Sequence, residues 1–253
     1  MIELETAMEA FVHSFAFSRA IIRPCEARRI GVFWCVRDVE STRKDVRTDE
    51  WTVPAGSNPT EIAQAVESTT KQRSHRLCVA GSDTDELAAM KRMLTGAGYR
   101  FLRSEPIMAI ETLAATSAHP RHEVIRVQSA AQVAELNAAA RSRQILPAHL
   151  SDNPPSVRAY YSVQGGIVAG FVRCVTRHPA ATYVAGVETF VPFRRTGVAT
   201  DLMNAMLADD CKLGVRYSVL MAGRVGEKLY SSLGFALLGY LQVYTPLSKS
   251  IKV

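Results

Sequence analysis

The sequence has no apolar run approaching the ~20 residues that a bilayer-spanning helix needs. It also lacks the basic leader of an export signal, because its start, MIELETAMEAFVHSF, carries Glu3, Glu5 and Glu9 where positive charge would be required. A soluble, cytoplasmic chain without a membrane partner is expected. The five cysteines (Cys25, Cys35, Cys78, Cys174 and Cys211) form no C-x-x-C pair and are odd in number. That argues against a disulfide framework and for buried reduced thiols. The six histidines form no H-x-x-x-H pair or Cys/His cluster, so no metal site is expected. No five like charges occur in a row, and no zinc-finger, basic-zipper or RNA-binding signature is present. The net charge of +6 and pI near 9.2 suit a polyanionic ligand, either nucleic acid or a nucleotide cofactor. The basic residues are scattered, however, which favours a solvated basic surface over a nucleic-acid interface.

What is present is ordinary globular material: 253 residues, 47% hydrophobic and 21% charged, enough for one or two domains. The best boundary is the small, polar segment AATSAHPRH at 114–122, which divides the chain into 1–118 and 122–253. Hydrophobic periodicity predicts, in the first half, a helix over 3–20, strands over 29–37 and 50–53, and a helix over 59–72 opened by Asn58 or Thr60 with Pro59 in its first turn. A strand at 76–80, a helix at 84–95 and a strand pair within 99–112 follow. The second half reads as a strand at 123–127, a helix over 130–142 capped by Ser129, and a short helix near 146–150. Strands follow at 157–163, 167–175 and 182–190. A helix over 197–213, ended by Gly214, puts Leu202, Met203, Met206 and Leu207 on one face. A strand at 216–221, a helix at 224–233 and a strand at 235–245 complete it. This order mixes antiparallel strands with one β–α–β crossover, an α+β class rather than a doubly wound sheet.

The halves resemble each other. Val53-Pro54 before one helix matches Val191-Pro192 before another, and Gly98-Tyr99 matches Gly234-Phe235. The intervals from Pro54 to Gly98 and from Pro192 to Gly234 are 44 and 42 residues. A duplication is the favoured reading.

Chemistry concentrates in Val191-Pro192-Phe193-Arg194-Arg195-Thr196-Gly197-Val198-Ala199-Thr200, between a strand and a helix. Such a turn presents backbone N–H groups at the positive end of a helix dipole and forms an anion site. Gly197 permits close approach of a pyrophosphate, Ala199 keeps the next contact small, and Arg194 and Arg195 add charge. By itself Arg-x-x-Gly-x-Ala is an ordinary helix start. It gains specificity from Tyr230-Ser231-Ser232-Leu233-Gly234-Phe235, thirty-one residues after Ala199 and beyond the strand RYSVLMA.

With this series the segment 123–245 resembles the GNAT superfamily of N-acetyltransferases, most strongly over 183–235. The resemblance implies the GNAT fold, a mixed and mostly antiparallel sheet flanked by helices, in tandem with a degenerate N-terminal copy. It implies acetyl-CoA as co-substrate, with Arg194, Arg195, Thr196, Gly197, Val198, Ala199 and Thr200 around its pyrophosphate. Val187, Glu188 and Thr189 would line the pantetheine wall, and Tyr230 would lie near the sulfur as general acid. Where many members have Asn and Ala before the tyrosine, this chain has Gly223 and Gly226, so Arg224 is a candidate replacement contact. Pro192 sits two rather than three residues before Arg194. Glu188 is the candidate base; an exposed strand residue, a structural ion pair and a water-relayed base remain its alternatives. Tyr230 as a core aromatic remains the other reading of that residue.

In the first half Gly56, Ser57, Asn58 and Pro59 stand opposite Arg194–Gly197, and Leu94 stands opposite Tyr230. Proline has no N–H to offer a phosphate. This half is expected to have lost the chemistry, with Trp34 and Trp51 as core. The expected acceptor is a small-molecule or peptide amine, and the expected state a monomer built as a pseudo-dimer, or a homodimer. A non-catalytic acyl-CoA sensor is the competing function.

Overall fold

The computed structural model describes residues 2–39, 47–70, 74–114, 120–223 and 225–247. Helix α1 (Leu4–Ala20) leads into strands β1 (Cys25–Ile30) and β2 (Phe33–Asp38), then β3 (Asp49–Pro54), α2 (Pro59–Thr70), β4 (His75–Gly81), α3 (Thr84–Gly96) and β5 (Tyr99–Glu111). The second half comprises β6 (Val124–Arg126), α4 (Ala130–Ala139), β7 (Val157–Gln164), β8 (Ile167–Val175), β9 (Ala181–Thr189), α5 (Val198–Lys212), β10 (Tyr217–Met221), α6 (Glu227–Ser232) and β11 (Ala236–Pro246).

The helix starts follow their side chains. Ser129 forms a capping box with Gln132 at the start of α4. Asn58 Oδ1 accepts from the Thr60 N–H at 2.8 Å, ahead of the Pro59 turn. Gly214, at φ 72, ends α5 in the left-handed conformation that favours glycine. Four expectations change. The run 29–37 is part of a hairpin, because Gly31 at φ 61 turns the chain inside an apolar stretch. The expected strand pair within 99–112 is a single strand. The segment Pro147–Ser151 is a 3-10 turn, and α6 has only six residues.

The described strands form one sheet in the order β1-β2-β3-β4-β11-β5-β10-β9-β8-β7-β6. The same unit occurs twice: a β-meander into a parallel pair, β3 with β4 in one half and β9 with β10 in the other. The last strand of each half crosses to the other, so that β11 pairs with β4 while β5 pairs with β10. Between them β5 and β11 run antiparallel along nearly their whole length and join the halves through backbone hydrogen bonds.

Helices α2, α3, α5 and α6 cover one face. Trp51, Val53, Leu77, Val79, Leu87 and Leu94 form the core beneath α2 and α3. Leu202, Met203, Met206 and Leu207 of α5 are at most 1% exposed and pack on β8, β9 and β10. Each such side chain contributes roughly 1.5–3 kcal/mol of burial free energy. On the opposite face α1 spans both halves, with Met8, Phe11 and Val12 against β4, β5, β9 and β11, and α4 covers β7 and β8. Beneath α5 the buried Asp210 pairs with Arg158 and accepts from Thr182 Oγ1 at 3.0 Å and Ser218 Oγ at 2.5 Å, fastening α5 to β7, β9 and β10.

Trp51 is fully buried, as expected, whereas Trp34 is half-buried with Arg29 over its ring. All five cysteines are free thiols; Cys35, Cys78 and Cys174 are buried, and Cys25 and Cys211 are half-buried. Among the described residues no helix is long and apolar enough to cross a membrane, and no three metal-ligating side chains cluster.

Candidate active site

Parallel strands β9 and β10 pair only through Ala181, Thr182 and Tyr183 with Tyr217, Ser218 and Val219. From Val184 to Thr189, β9 has no partner on that side among the described residues, and a wedge opens between the strands. Two features set the divergence. A bulge leaves Ala185 unpaired between Cys174↔Val184 and Arg173↔Gly186, which increases the local twist. Beyond Met221 the chain leaves the sheet for α6, while Pro106 on neighbouring β5 accepts the Ala222 N–H at 2.8 Å.

The wedge runs into the start of α5. A Cβ on Gly170 would stand 2.5 Å from the Glu188 carbonyl oxygen and 3.2 Å from Val198 Cγ1, so only glycine lets β9 and the helix start settle on β8. Val191–Phe193 form a 3-10 turn, Arg195 adopts φ 66, and Gly197 caps α5 at φ 100 without a side-chain hydrogen bond. The first bond inside α5 runs from the Asp201 N–H to the Gly197 carbonyl at 3.1 Å. The amides of Val198, Ala199 and Thr200 therefore precede the helical ladder and stand at the positive end of its dipole. Arg194 Nε donates to the Thr189 carbonyl at 3.1 Å, and Thr196 Oγ1 to the Phe193 carbonyl at 2.8 Å, bracing the loop. Thr189 Oγ1 is buried without a partner among the described residues.

Tyr230 of α6 is 8% exposed, with its ring 5.8 Å from that of Phe235. Its hydroxyl has no hydrogen-bond partner among the described residues. Burial pushes its phenol above the ordinary value of 10.0, so it carries its proton at neutral pH. Tyr183 on β9 is near enough that a charge on Tyr230 would disfavour one on Tyr183; burial is the main reason the Tyr183 phenol is raised. Tyr230 belongs to the core under α5 and Tyr183 to the core under α1. The wedge thus joins the two faces of the sheet.

No family model and no curated protein matches the chain. Solved structures do. The chain is similar to a GCN5-related N-acetyltransferase from Kribbella flavida, at 16% identity and TM-score 0.68, over 99% of this chain and 98% of that one. A GCN5-related N-acetyltransferase from Sphaerobacter thermophilus matches at 14% identity and TM-score 0.58, over 98% and 94%. A tandem GNAT protein from the clavulanic acid biosynthesis pathway matches at 15% identity and TM-score 0.54, over 95% and 94%. The chain has the GNAT fold.

On the GNAT fold the expected residues fall into three groups. Arg194, Arg195, Thr196, Gly197, Val198, Ala199 and Thr200 form the loop and first turn of α5. The two arginines and Thr196 are exposed, and Val198 is buried as the hydrophobic anchor of the helix. Val187 packs on the α5 core, and Thr189 ends the β9 wall. Glu188 is exposed and pairs with Phe171, so its side chain lies on the opposite face, towards α1 and α4. It makes no ion pair among the described residues. Arg224 lies outside the described residues.

Other contributors belong to no motif. Arg121 and His122, the last two residues of the boundary segment, flank Gly197: Arg121 Nη1 and His122 Cε1 lie 3.9 Å and 3.8 Å from where its Cβ would be. Asp201 holds them there by accepting both backbone N–H groups, at 3.1 Å and 3.0 Å, and His122 Nδ1 at 2.8 Å. The return of Arg121 and His122 to the α5 terminus is a tertiary fact that the local sequence does not show. Gly226 departs from the family pattern for a local reason. A Cβ there would be 2.7 Å from Tyr230 Cε2, so glycine is what seats the tyrosine ring.

Proposed function

We propose that the chain transfers an acetyl group from acetyl-CoA to an amine. One observation carries the reading: a wedge between β9 and β10 that ends on uncapped helix amides at Gly197 and has a protonated phenol, Tyr230, beside it. The residues fit the co-substrate. The amides of Val198, Ala199 and Thr200, with Gly197 bare above them and Arg121, Arg194 and Arg195 nearby, suit a pyrophosphate. The unpartnered edge of Val184–Thr189 suits an extended polar arm, and Thr189 Oγ1 has hydrogen-bonding capacity to spare. Acetyl-CoA supplies the acetyl group as a thioester, so that the amine nitrogen gains a bond to the carbonyl carbon, the carbon–sulfur bond breaks, and an amide and a free thiol result. Tyr230 donates its proton to the departing sulfur. Glu188, on the face towards α1 and α4, takes the proton the amine must lose, directly or through water. The wedge lets groups on the two faces of the sheet act at one place.

The sensor alternative rests on Gly223 and Gly226, which stand where many GNAT members have Asn and Ala. Packing against Tyr230 accounts for Gly226, which removes half of that support. Release of free thiol from acetyl-CoA across a panel of amines tests the proposal. Amine-dependent release is expected, and acetyl-CoA binding with no release under any amine would leave the sensor.

A further inference from the structure

Beside the wedge, on the α1 and α4 face, sits a cation without a counter-charge. Arg173 lies on β8 opposite Gly186 of β9, at the bulge. Its Nη1 donates weakly to the Gln144 carbonyl at 3.5 Å, and its Nε is buried with no acceptor. No carboxylate among the described residues lies within ion-pair distance of it. Arg158, on the preceding strand and more deeply buried, has a counter-charge in Asp210. Burial pulls the Arg173 guanidinium below its ordinary value, the expected direction for a charge that has lost water without gaining an anion.

Space is available in front of it. A Cβ on Gly186 would meet no atom within 4 Å. Gly186 and Arg173 are half-buried and Glu188 is exposed, so the space opens to solvent. Glu188 is the diagonal cross-strand neighbour of Arg173 on the same face, a separation of about 7–8 Å between backbones, yet the two form no ion pair. The face therefore offers one acceptor of protons and one cation unpaired among the described residues, with open space above Gly186 between them. Tyr183, on β9 beyond the bulge, is near enough to Arg173 for the guanidinium charge to act on its phenol.

We propose that Arg173 receives a carboxylate on the acceptor, and that the acceptor is a small amine carrying that carboxylate a few bonds from its nitrogen, as in an amino acid. Resting on the acetyl-transfer reading for the role of its amine, the acceptor lies over Gly186 with its nitrogen towards Glu188 and its carboxylate on the guanidinium. A planar guanidinium with an unused N–H suits a carboxylate better than it suits a carbonyl or hydroxyl.

Two probes read this without the transfer reaction: N-acetylglycine, which has the carboxylate, and N-acetylglycinamide, which is neutral. By calorimetry N-acetylglycine should bind the wild-type chain about tenfold or more tightly than the amide, the scale of a charge-assisted hydrogen bond. Arg173→Gln should remove the difference, and Arg173→Lys, which keeps the charge, should retain part of it. Thermal unfolding reports whether each variant folds; should the glutamine variant not fold, the lysine variant and the wild-type preference carry the test. Equal or equally absent binding of the two probes to wild type overturns the assignment, as does an unchanged preference in a folded Arg173→Gln. Acetyl-CoA affinity, measured in parallel, separates the two readings. A carboxylate preference without acetyl-CoA binding supports Arg173 and defeats acetyl transfer; acetyl-CoA binding without the preference does the reverse.

Discussion

Each half of this chain has a parallel strand pair flanked by the other half's last strand, and the two pairs differ in the gap between their strands. In the second half β9 and β10 pair through three residues and part; in the first, β3 and β4 pair through all six, from Asp49↔His75 to Pro54↔Ala80, and the Ala55 N–H adds a bond to the Ala80 carbonyl at 2.7 Å. Where the second half has bare amides behind Gly197, the first has Pro59, which lacks an N–H, and Asn58, whose side chain already occupies the Thr60 N–H. Where the second has Tyr230, the first has Leu94, 2% exposed in the α2–α3 core. Completing a parallel ladder and capping a helix with its own side chain both satisfy backbone groups that a ligand would otherwise satisfy. The exchange of β5 and β11 gives the closed half a structural role, because each half's parallel pair is flanked by the other's last strand.

Substitutions at matched positions sharpen that contrast. The largest effect is expected from Gly197→Pro. Proline cannot adopt φ 100 and removes an N–H, so calorimetry should show acetyl-CoA binding abolished while circular dichroism shows the fold retained. Next, Tyr230→Phe should lower kcat by about 10²-fold, with little change in acetyl-CoA affinity. The pH profile of wild type reports the same group. An acid is active below its pKa, and burial raises this one, so the alkaline limb of kcat should fall only above the ordinary 10.0 and be absent in Tyr230→Phe. At the matched position Leu94→Ala should cost stability instead, about 2–5 kcal/mol by denaturant unfolding, and leave acetyl-CoA affinity unchanged. The smallest effect is expected from Asn58→Ala, about 1 kcal/mol for a lost cap, again without a change in affinity. A loss of affinity from either first-half variant would break the contrast.

Much of the candidate site was legible because it is local. The Gly197 loop and the Tyr230 turn are short segments whose residue types state their backbone needs, and the helix caps at Asn58 and Ser129 do the same. The rest depends on partners far along the chain. Gly31 turns β1 into β2 inside an apolar run that reads as one strand. The strand pair expected within 99–112 is one strand, because the N of Pro106, which has no hydrogen, faces the side where β10 has ended. The exchange of β5 and β11 leaves no mark in either strand's own pattern. Arg121, His122 and Arg173 belong to no motif; tertiary packing brings the first two to Gly197 and leaves the third unpaired.

Calorimetric titration of the intact chain with acetyl-CoA tests most directly the claim that one half is open and the other closed. A stoichiometry of one per chain, falling to none in Gly197→Pro, is the expected result. Two sites per chain, or one that survives Gly197→Pro, would contradict it, since a working site would then lie where β3 and β4 are zipped shut.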